Sequence, residues 1–311
     1  MRRYRSRRVT RRTGRMNSDC NFETITANFS IFEELPSKML GMKTFAKIDI
    51  LKCFDFFPLS EESRKFFAFL GPDGELWTLN SIPQGYKNAP AVVHAQLRSI
   101  LHEACLPDSS AAANHLDDIM IGATHAEALW EALEKILSLL IGKYNFRVNW
   151  PKCVLGVPEV NHLGYLWSAE GYRMPPDRAL VLHQLRRPTN PSEIRSFLAW
   201  ACRYARFHRE LPRALAPISD LLKKDAETVW TPELDGAFSK VKELIASDST
   251  LTYPDWTKPF EVYLDWSKTA VSATLEQEQG PIVFEGRKCR QHEVNYSSFD
   301  GEASALRFAL N

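Results

Sequence analysis

The sequence predicts a chain of mixed helix and strand in three successive regions. A mixed region runs to about residue 167, a mostly helical stretch to about 250, and another α/β unit opens after that. Three observations carry this. Apolar residues recur at helical spacing in 89–104 and 125–146. "TNPSEIRSFLAWACRYARF" (189–207) opens a second helical unit, and "KPFEVYLDWSKTAVSATLEQ" (258–277) alternates like a strand hairpin.

Taken in order, "KTFAKIDILKCFDFFPL" (43–59) reads as a buried strand entering a short turn. "FFAFLGPDGELWTLNSIP" (66–83) reads as two strands joined at Pro72-Asp73-Gly74. In the helix over 89–104 the spaced residues are Val92, Val93, Gln96, Leu97, Ile100 and Leu101. The next helix carries Ala128, Leu129, Leu133, Ile136, Leu137 and Leu140 as one stripe and closes near Gly142. Short strands follow around 146–150, 153–156 and 160–167. Asn190 is placed as N-cap, Pro191 as first helical residue and Glu193 as third. A helix spans 232–246, and "SFDGEASALRFALN" begins another.

A length of 311 residues suits about two domains of roughly 150 residues. The 44% apolar content supports ordinary cores, and no apolar run nears the ~18 residues of a membrane span. No apolar segment backs the basic N-terminus as in a secretory signal. The six cysteines are dispersed with no CxxC pair, so neither a zinc site nor a disulfide framework is suggested, and an intracellular location is expected. The net charge of +1 conceals an asymmetry: residues 1–15 hold eight Arg and no acid. The rest carries 31 Lys and Arg against 38 Asp and Glu, so nucleic acid would be met through local patches. The tail itself fits a solvated segment, a nucleic-acid contact or a nuclear address.

"NHLDDIMIG" (114–122) places Asp117 and Asp118 side by side within an apolar strand pair. An unpaired buried carboxylate costs several kcal/mol, so the pair demands a partner. A turn presenting both to a divalent cation is one solution; a solvated turn or a helix cap is another. Asp49 ends a strand 68 residues earlier, and a third carboxylate alongside would complete a two-metal site for phosphoryl transfer.

With these residues in place, the chain resembles the polymerase region of reverse transcriptases from LTR retrotransposons and endogenous retroviruses. The segments are "FAKIDILKCFDFFPLSEESRKFFAF", "IPQGYKNAPAVVHAQL", "HLDDIMIG", "HLGYLWSAEGYRM", "PSEIRSFLAWACRYARF", "PISDLLKK" and "VWTPELDGAFSKVKELIASDSTLTYPDWTKPFEVYLDWS", in the family's order. The resemblance implies an α+β fold: a right-hand polymerase palm with partial fingers, a helical thumb and connection, and a truncated RNase H-like α/β unit. The implied divisions are a basic tail over 1–15, fingers and palm over 16–167, thumb and connection over 168–250, and the RNase H-like unit over 251–311. "RMNSDCNFETIT" (15–26) is similar to the family's late fingers segment, and the earlier fingers strands are expected to be missing.

The implied function is RNA-directed DNA polymerisation. Asp49 and Asp117 would hold two Mg²⁺ ions, with Mn²⁺ as the alternative and Asp118 in support. The primer 3′-hydroxyl attacks the α-phosphate of a dNTP. Phe54 matches the aromatic gate against a 2′-hydroxyl. Gln84 and Gly85 in "IPQGYKNAP" match the loop against nucleotide and template. His115 stands where the family's YxDD motif has Tyr, beside the primer terminus. Gly164 lies in "HLGYLWS" (162–168), which matches the primer grip. Arg195, Arg203, Arg206 and Arg209, with His208 nearby, suit phosphate contacts along a template–primer duplex. Asp265 in "YLDWS" and Glu302 in "FDGEASAL" match two of the four RNase H acids, a vestigial set expected to lack nuclease activity. The partners implied are an RNA or DNA template with primer and dNTPs, with no membrane, in cytoplasm or nucleus. Two other functions stay open: a non-catalytic nucleic-acid-binding remnant of a Pol protein, and a nuclease acting through Asp265 and Glu302.

Overall fold

The computed structural model describes Ile25 and residues 31–177, 185–223, 229–247 and 249–310. The arginine-rich tail, Cys20 and the fingers-like 15–26 segment apart from Ile25 lie outside the described residues. Contacts divide the chain between Val160 and Asn161 into two compact units, each described by itself.

The first unit is built on a four-stranded antiparallel sheet. Helix α1 (Ile31–Met39) precedes strand β1 (Thr44–Asp49). A short hairpin, β2 (Ala68–Leu70) and β3 (Leu76–Thr78), turns at Gly74, and helix α2 covers Ala89–Glu103. Strands β4 (Ser110–His115) and β5 (Asp118–Ala123) form a hairpin, helix α3 follows (Ala126–Leu137), and β6 is Val154–Val157. The order is β4-β5-β1-β6, which sets β1 and β5 in the middle. Central strands bury both faces: Ala46, Ile48, Ile119 and Ile121 on one and Phe45 and Met120 on the other are fully buried. Each buried Ile contributes roughly 1.5–3 kcal/mol.

Helices α2 and α3 supply the apolar cover. Val93, Leu97 and Ile100 of α2 join Leu129, Leu133 and Ile136 of α3 in one core with the sheet. Gln96, expected in the α2 stripe, faces solvent, and His94 is buried instead. Helix α3 closes near Gly142, as expected, but without a left-handed glycine cap. It widens into a π turn over Ser138–Lys143, and Asn145 takes the left-handed conformation, with φ 56°. That extra turn keeps Leu140 buried in the core.

In the second unit, strand β7 (Val160–His162) opens at the boundary and is followed by β8 (Tyr165–Ser168) and β9 (Gly171–Arg173). Helices α4 (Pro191–Ala201), α5 (Leu211–Asp220) and α6 (Pro232–Ala246) share an apolar core through Ile194, Phe197, Leu215, Phe238 and Val241. Helix α4 starts as its capping residues predict: the Asn190 side chain accepts from Glu193 N–H at 3.0 Å. It ends at Ala201, and 202–207 tighten into a 3₁₀ turn, so Arg203 and Arg206 lie beyond the helix. Strand β10 (Thr250–Leu251) joins β9. The last sheet, β11 (Glu261–Trp266), β12 (Ala270–Gln277) and β13 (Gly280–Lys288), packs against helix α7 (Ser298–Ala309). Gly301 permits this approach, since a Cβ there would stand 2.2 Å from the Trp266 ring.

Candidate active site

The register of the central strands assembles the site. Strands β1 and β5 pair antiparallel with Asp49 opposite Asp118 and Ile48 opposite Ile119. The β4–β5 hairpin pairs His115 with Asp118, leaving Leu116 and Asp117 as a two-residue loop. Leu116 has φ 55°, a left-handed conformation that a leucine rarely adopts and that costs on the order of 1–3 kcal/mol. All three carboxylates therefore gather at one end of the sheet, Asp49 and Asp118 only half-buried.

Side chains alternate along a strand, so Lys47 shares a face with Asp49. Its ammonium lies 3.5 Å from Asp118 Oδ2. Asn149 donates from Nδ2 to Asp49 Oδ1 at 2.8 Å, and its backbone N–H donates to the Asp49 carbonyl at 2.9 Å. Lys152 Nζ stands 3.8 Å from Asp49 Oδ2. At the loop, Asn114 Nδ2 lies 3.3 Å from the Leu116 carbonyl and 3.2 Å from the His94 carbonyl of α2.

Asp118 feels both neighbouring acids. Burial pushes the Asp118 carboxyl up; Lys47 opposes that shift, and Asp117 and Asp49 add to it. The Cys53 thiol is pushed up to about 12 by burial, with the nearby Asp117 charge adding to the effect. Cys153 is raised by burial, partly offset by a backbone hydrogen bond, with the Asp49 charge raising it further.

Among the described residues no group of three His, Cys, Asp or Glu side chains is poised to hold a metal ion. The donor set still fits magnesium, a hard cation that keeps several waters and takes one or two carboxylates plus substrate phosphates. A closed protein cage is the habit of other ions. Asp49 holds Asn149 and Lys152 as neighbours and Asp118 holds Lys47, contacts that a cation and substrate would have to share.

Other expected residues fall as follows. Phe54 sits in the 3₁₀ turn Cys53–Phe56 just after β1, half-buried against the core. Gln84 and Gly85 lie exposed in the loop before α2, and Gly85 has φ 92°. In the second unit, Leu163 and Gly164 both have positive φ, 54° and 87°, the pattern of a type I′ hairpin turn between β7 and β8. Trp167 stacks on Tyr172 at 4.8 Å behind that hairpin, and Tyr253 donates to the Ser168 carbonyl at 2.7 Å. Arg195 and Arg203 are exposed. Arg206 is half-buried, hydrogen-bonds the Tyr172 hydroxyl and lies 3.5 Å from Glu285. His208 is buried, which pulls its pKa down to about 4. Asp265 on β11 faces Arg209 at 3.9 Å, and Glu302 is exposed on α7.

Four neighbours of the carboxylates carry no motif of their own. Lys47 lies two residues before Asp49 on the same strand face. Asn114 adjoins the hairpin. Asn149 and Lys152, about 100 residues beyond Asp49, gave no sequence signal of proximity.

An antiparallel sheet that brings one strand-end carboxylate against a paired-carboxylate turn defines a polymerase palm, and the comparisons agree. Residues 9–166 match the family described as "Reverse transcriptase (RNA-dependent DNA polymerase)", and the chain belongs to that family. Residues 230–311 match an "RNase H-like domain found in reverse transcriptase". Among relatives, the Retrovirus-related Pol polyprotein from transposon 297 of Drosophila melanogaster is 30% identical over 283 residues, covering 89% of this chain and 26% of that protein. The Gag-Pol polyprotein of Woolly monkey sarcoma virus is 31% identical, covering 83% and 15%. The chain thus spans about a quarter or less of these relatives. The foamy viral protease-reverse transcriptase solved with dsDNA superposes at TM-score 0.81 with 19% identity, covering 93% of this chain and 60% of that one. The same protein with an RNA/DNA hybrid gives 0.80, covering 93% and 39%. The fold is therefore that of a reverse transcriptase. Among the described residues no helix is long and apolar enough to cross a membrane.

Proposed function

We propose that the chain is the palm-bearing part of an RNA-directed DNA polymerase that extends a primer 3′-hydroxyl with dNTPs. One observation carries this: the β1–β5 register sets Asp49 opposite Asp118, with Asp117 in the adjoining loop. Asp49 and Asp117 would hold Mg²⁺, with Asp118 in support. When bound, the metal supplies Lewis-acid stabilisation of charge on the transferring phosphoryl group. The chain's own residues do the rest. Asn149 fixes the rotamer of Asp49 through its 2.8 Å hydrogen bond. Lys47 offsets the charge of Asp118 while the site awaits substrate. Phe54, on the turn after β1, would lie under the sugar and disfavour a 2′-hydroxyl. Gln84 and Gly85 would border the incoming nucleotide.

The partner is a template–primer duplex, the class of ligand in the related foamy viral structures. His115, the Gly164 hairpin and Arg195, Arg203 and Arg206 are the proposed primer and template contacts. The division into palm, thumb and connection, and an RNase H-like unit with Asp265 and Glu302 belongs to the same proposal, as does a cytoplasmic or nuclear location.

The purified chain given poly(rA)–oligo(dT), dTTP and Mg²⁺ extends the primer, and the Asp117→Asn variant does not. A second reading is a duplex-binding protein without catalysis, which the same assay separates from the first. Duplex binding with no extension by the wild type supports it. Cleavage of the RNA strand points to Asp265 and Glu302 instead.

A further inference from the structure

Asn114 is the fifth residue of β4, three before Asp117, and its Cα pairs with that of the fully buried Ile119. Its carboxamide does not point into open solvent. Nδ2 lies 3.3 Å from the Leu116 carbonyl, 3.2 Å from the His94 carbonyl and 3.3 Å from His94 Nδ1. An amide nitrogen has two hydrogens, and here two carbonyl acceptors and one ring nitrogen surround it. One is on the carboxylate loop; the other two are on helix α2. His94 is itself anchored, since it is buried on the same helix as Val93 and Leu97.

The Leu116 carbonyl sits between the left-handed Leu116 and Asp117. A leucine in that conformation relaxes unless something holds it, and relaxation would rotate the next peptide and redirect Asp117. The hydrogen bond from Asn114 restrains the peptide that carries the first carboxylate of the pair.

We propose that Asn114 is a positioning residue: its carboxamide clamps the Leu116–Asp117 peptide to helix α2 and so sets the direction of the two carboxylates, touching neither metal nor nucleotide. The role deepens the polymerase proposal and rests on it for its catalytic consequence. The clamp itself does not depend on that reading. Alanine at this position removes the donor. Aspartate keeps the shape but replaces the donor with an acceptor that repels the two facing carbonyls.

Amide hydrogen exchange tests the clamp directly. In Asn114→Ala, exchange at residues 116–118 accelerates at least about tenfold, with α3 and β6 unchanged. Asn114→Asp, which preserves volume, does the same and covers the case where the alanine variant folds poorly. In the primer-extension assay, kcat falls roughly 10–100-fold, as for residues that orient metal ligands, while the dTTP KM stays within about twofold. The Mg²⁺ concentration for half-maximal rate rises. Ser110→Ala, which removes a hydrogen bond at the far end of the same strand, changes neither. Unchanged exchange at 116–118 in both variants overturns the proposal, as does a loss confined to thermal stability with kcat intact. If exchange accelerates but the wild type extends no primer, the clamp stands and the polymerase reading falls.

Discussion

Asp118 shows how a single side chain reports on its site. Burial and two neighbouring carboxylates favour its protonated form in the fold, against the pull of Lys47. A carboxyl raised in this way costs the fold stability as pH climbs from the ordinary carboxylate value through the raised one; below both values the cost is absent. Asp118→Asn is therefore expected to melt about 2–4 °C higher at pH 7 in metal-free buffer, the shift that ~1 kcal/mol produces in a domain of this size. The two proteins converge near pH 3. Differential scanning calorimetry decides it: a variant that melts lower at pH 7 would show that Lys47, and not burial, dominates. Asn149→Ala tests the other arm. Loss of the hydrogen bond to Asp49 should lower kcat roughly tenfold with little change in melting, read by steady-state extension. At this scale the acids were legible and their keepers were not. Adjacent aspartates in an apolar strand advertise a charge that needs a partner. Asn114 and Asn149 look like any polar amides until pairing sets one 3.3 Å from the Leu116 carbonyl and the other 2.8 Å from Asp49.

Elements followed their local chemistry closely where the period was strong. Helix α6 spans 232–246 as its spacing predicts, and α4 starts where Asn190, Pro191 and Glu193 place it. Asn190→Ala should cost about 1 kcal/mol, visible as a lower urea midpoint. Ends without such signals were misjudged. Helix α4 stops at Ala201 because the following 3₁₀ turn buries Tyr204 and Phe207, a tertiary gain that the apolar spacing through 207 does not reveal. Strand β13 went unseen because its Gly, Pro and charged residues do not alternate cleanly; pairing with β12 holds it. That sheet is closed by Arg287, which donates to both oxygens of the buried Glu293 at 2.6 and 2.7 Å. The pair holds the Glu293 carboxyl down at about 2. Stability from a depressed carboxyl is complete above the ordinary glutamate value and is lost as pH falls from about 4.5 toward 2. Glu293→Gln should destabilise the RNase H-like unit by on the order of 2 kcal/mol at pH 7, after allowing for solvent screening of the part-exposed Arg287. Its acid-unfolding curve should flatten between pH 4.5 and 2; an unaltered curve rejects the assignment.

For the whole chain, charge distribution sets how a polyanion is met. Outside residues 1–15 the protein is acidic, 31 basic residues against 38, so duplex affinity must come from local arginines and from the eight in the tail. Deleting residues 2–15 should lower the slope of log affinity against log salt by several units, each lost phosphate contact counting about 0.9. Extension at saturating duplex should persist. Fluorescence anisotropy across a salt series measures the first, and a slope that stays the same assigns the binding to the folded part alone. By itself the sequence marked the family, through the resemblance of its ordered segments, and the helices whose apolar spacing is strong, because spacing is written locally. Tertiary structure alone decided that Asp49 faces Asp118, that two lysines and two asparagines attend them, and that Arg206 is tied to Glu285 and Tyr172. The physical reason is distance along the chain. Helical spacing and strand alternation are local, whereas strand register depends on how a buried core closes over residues that the sequence keeps far apart.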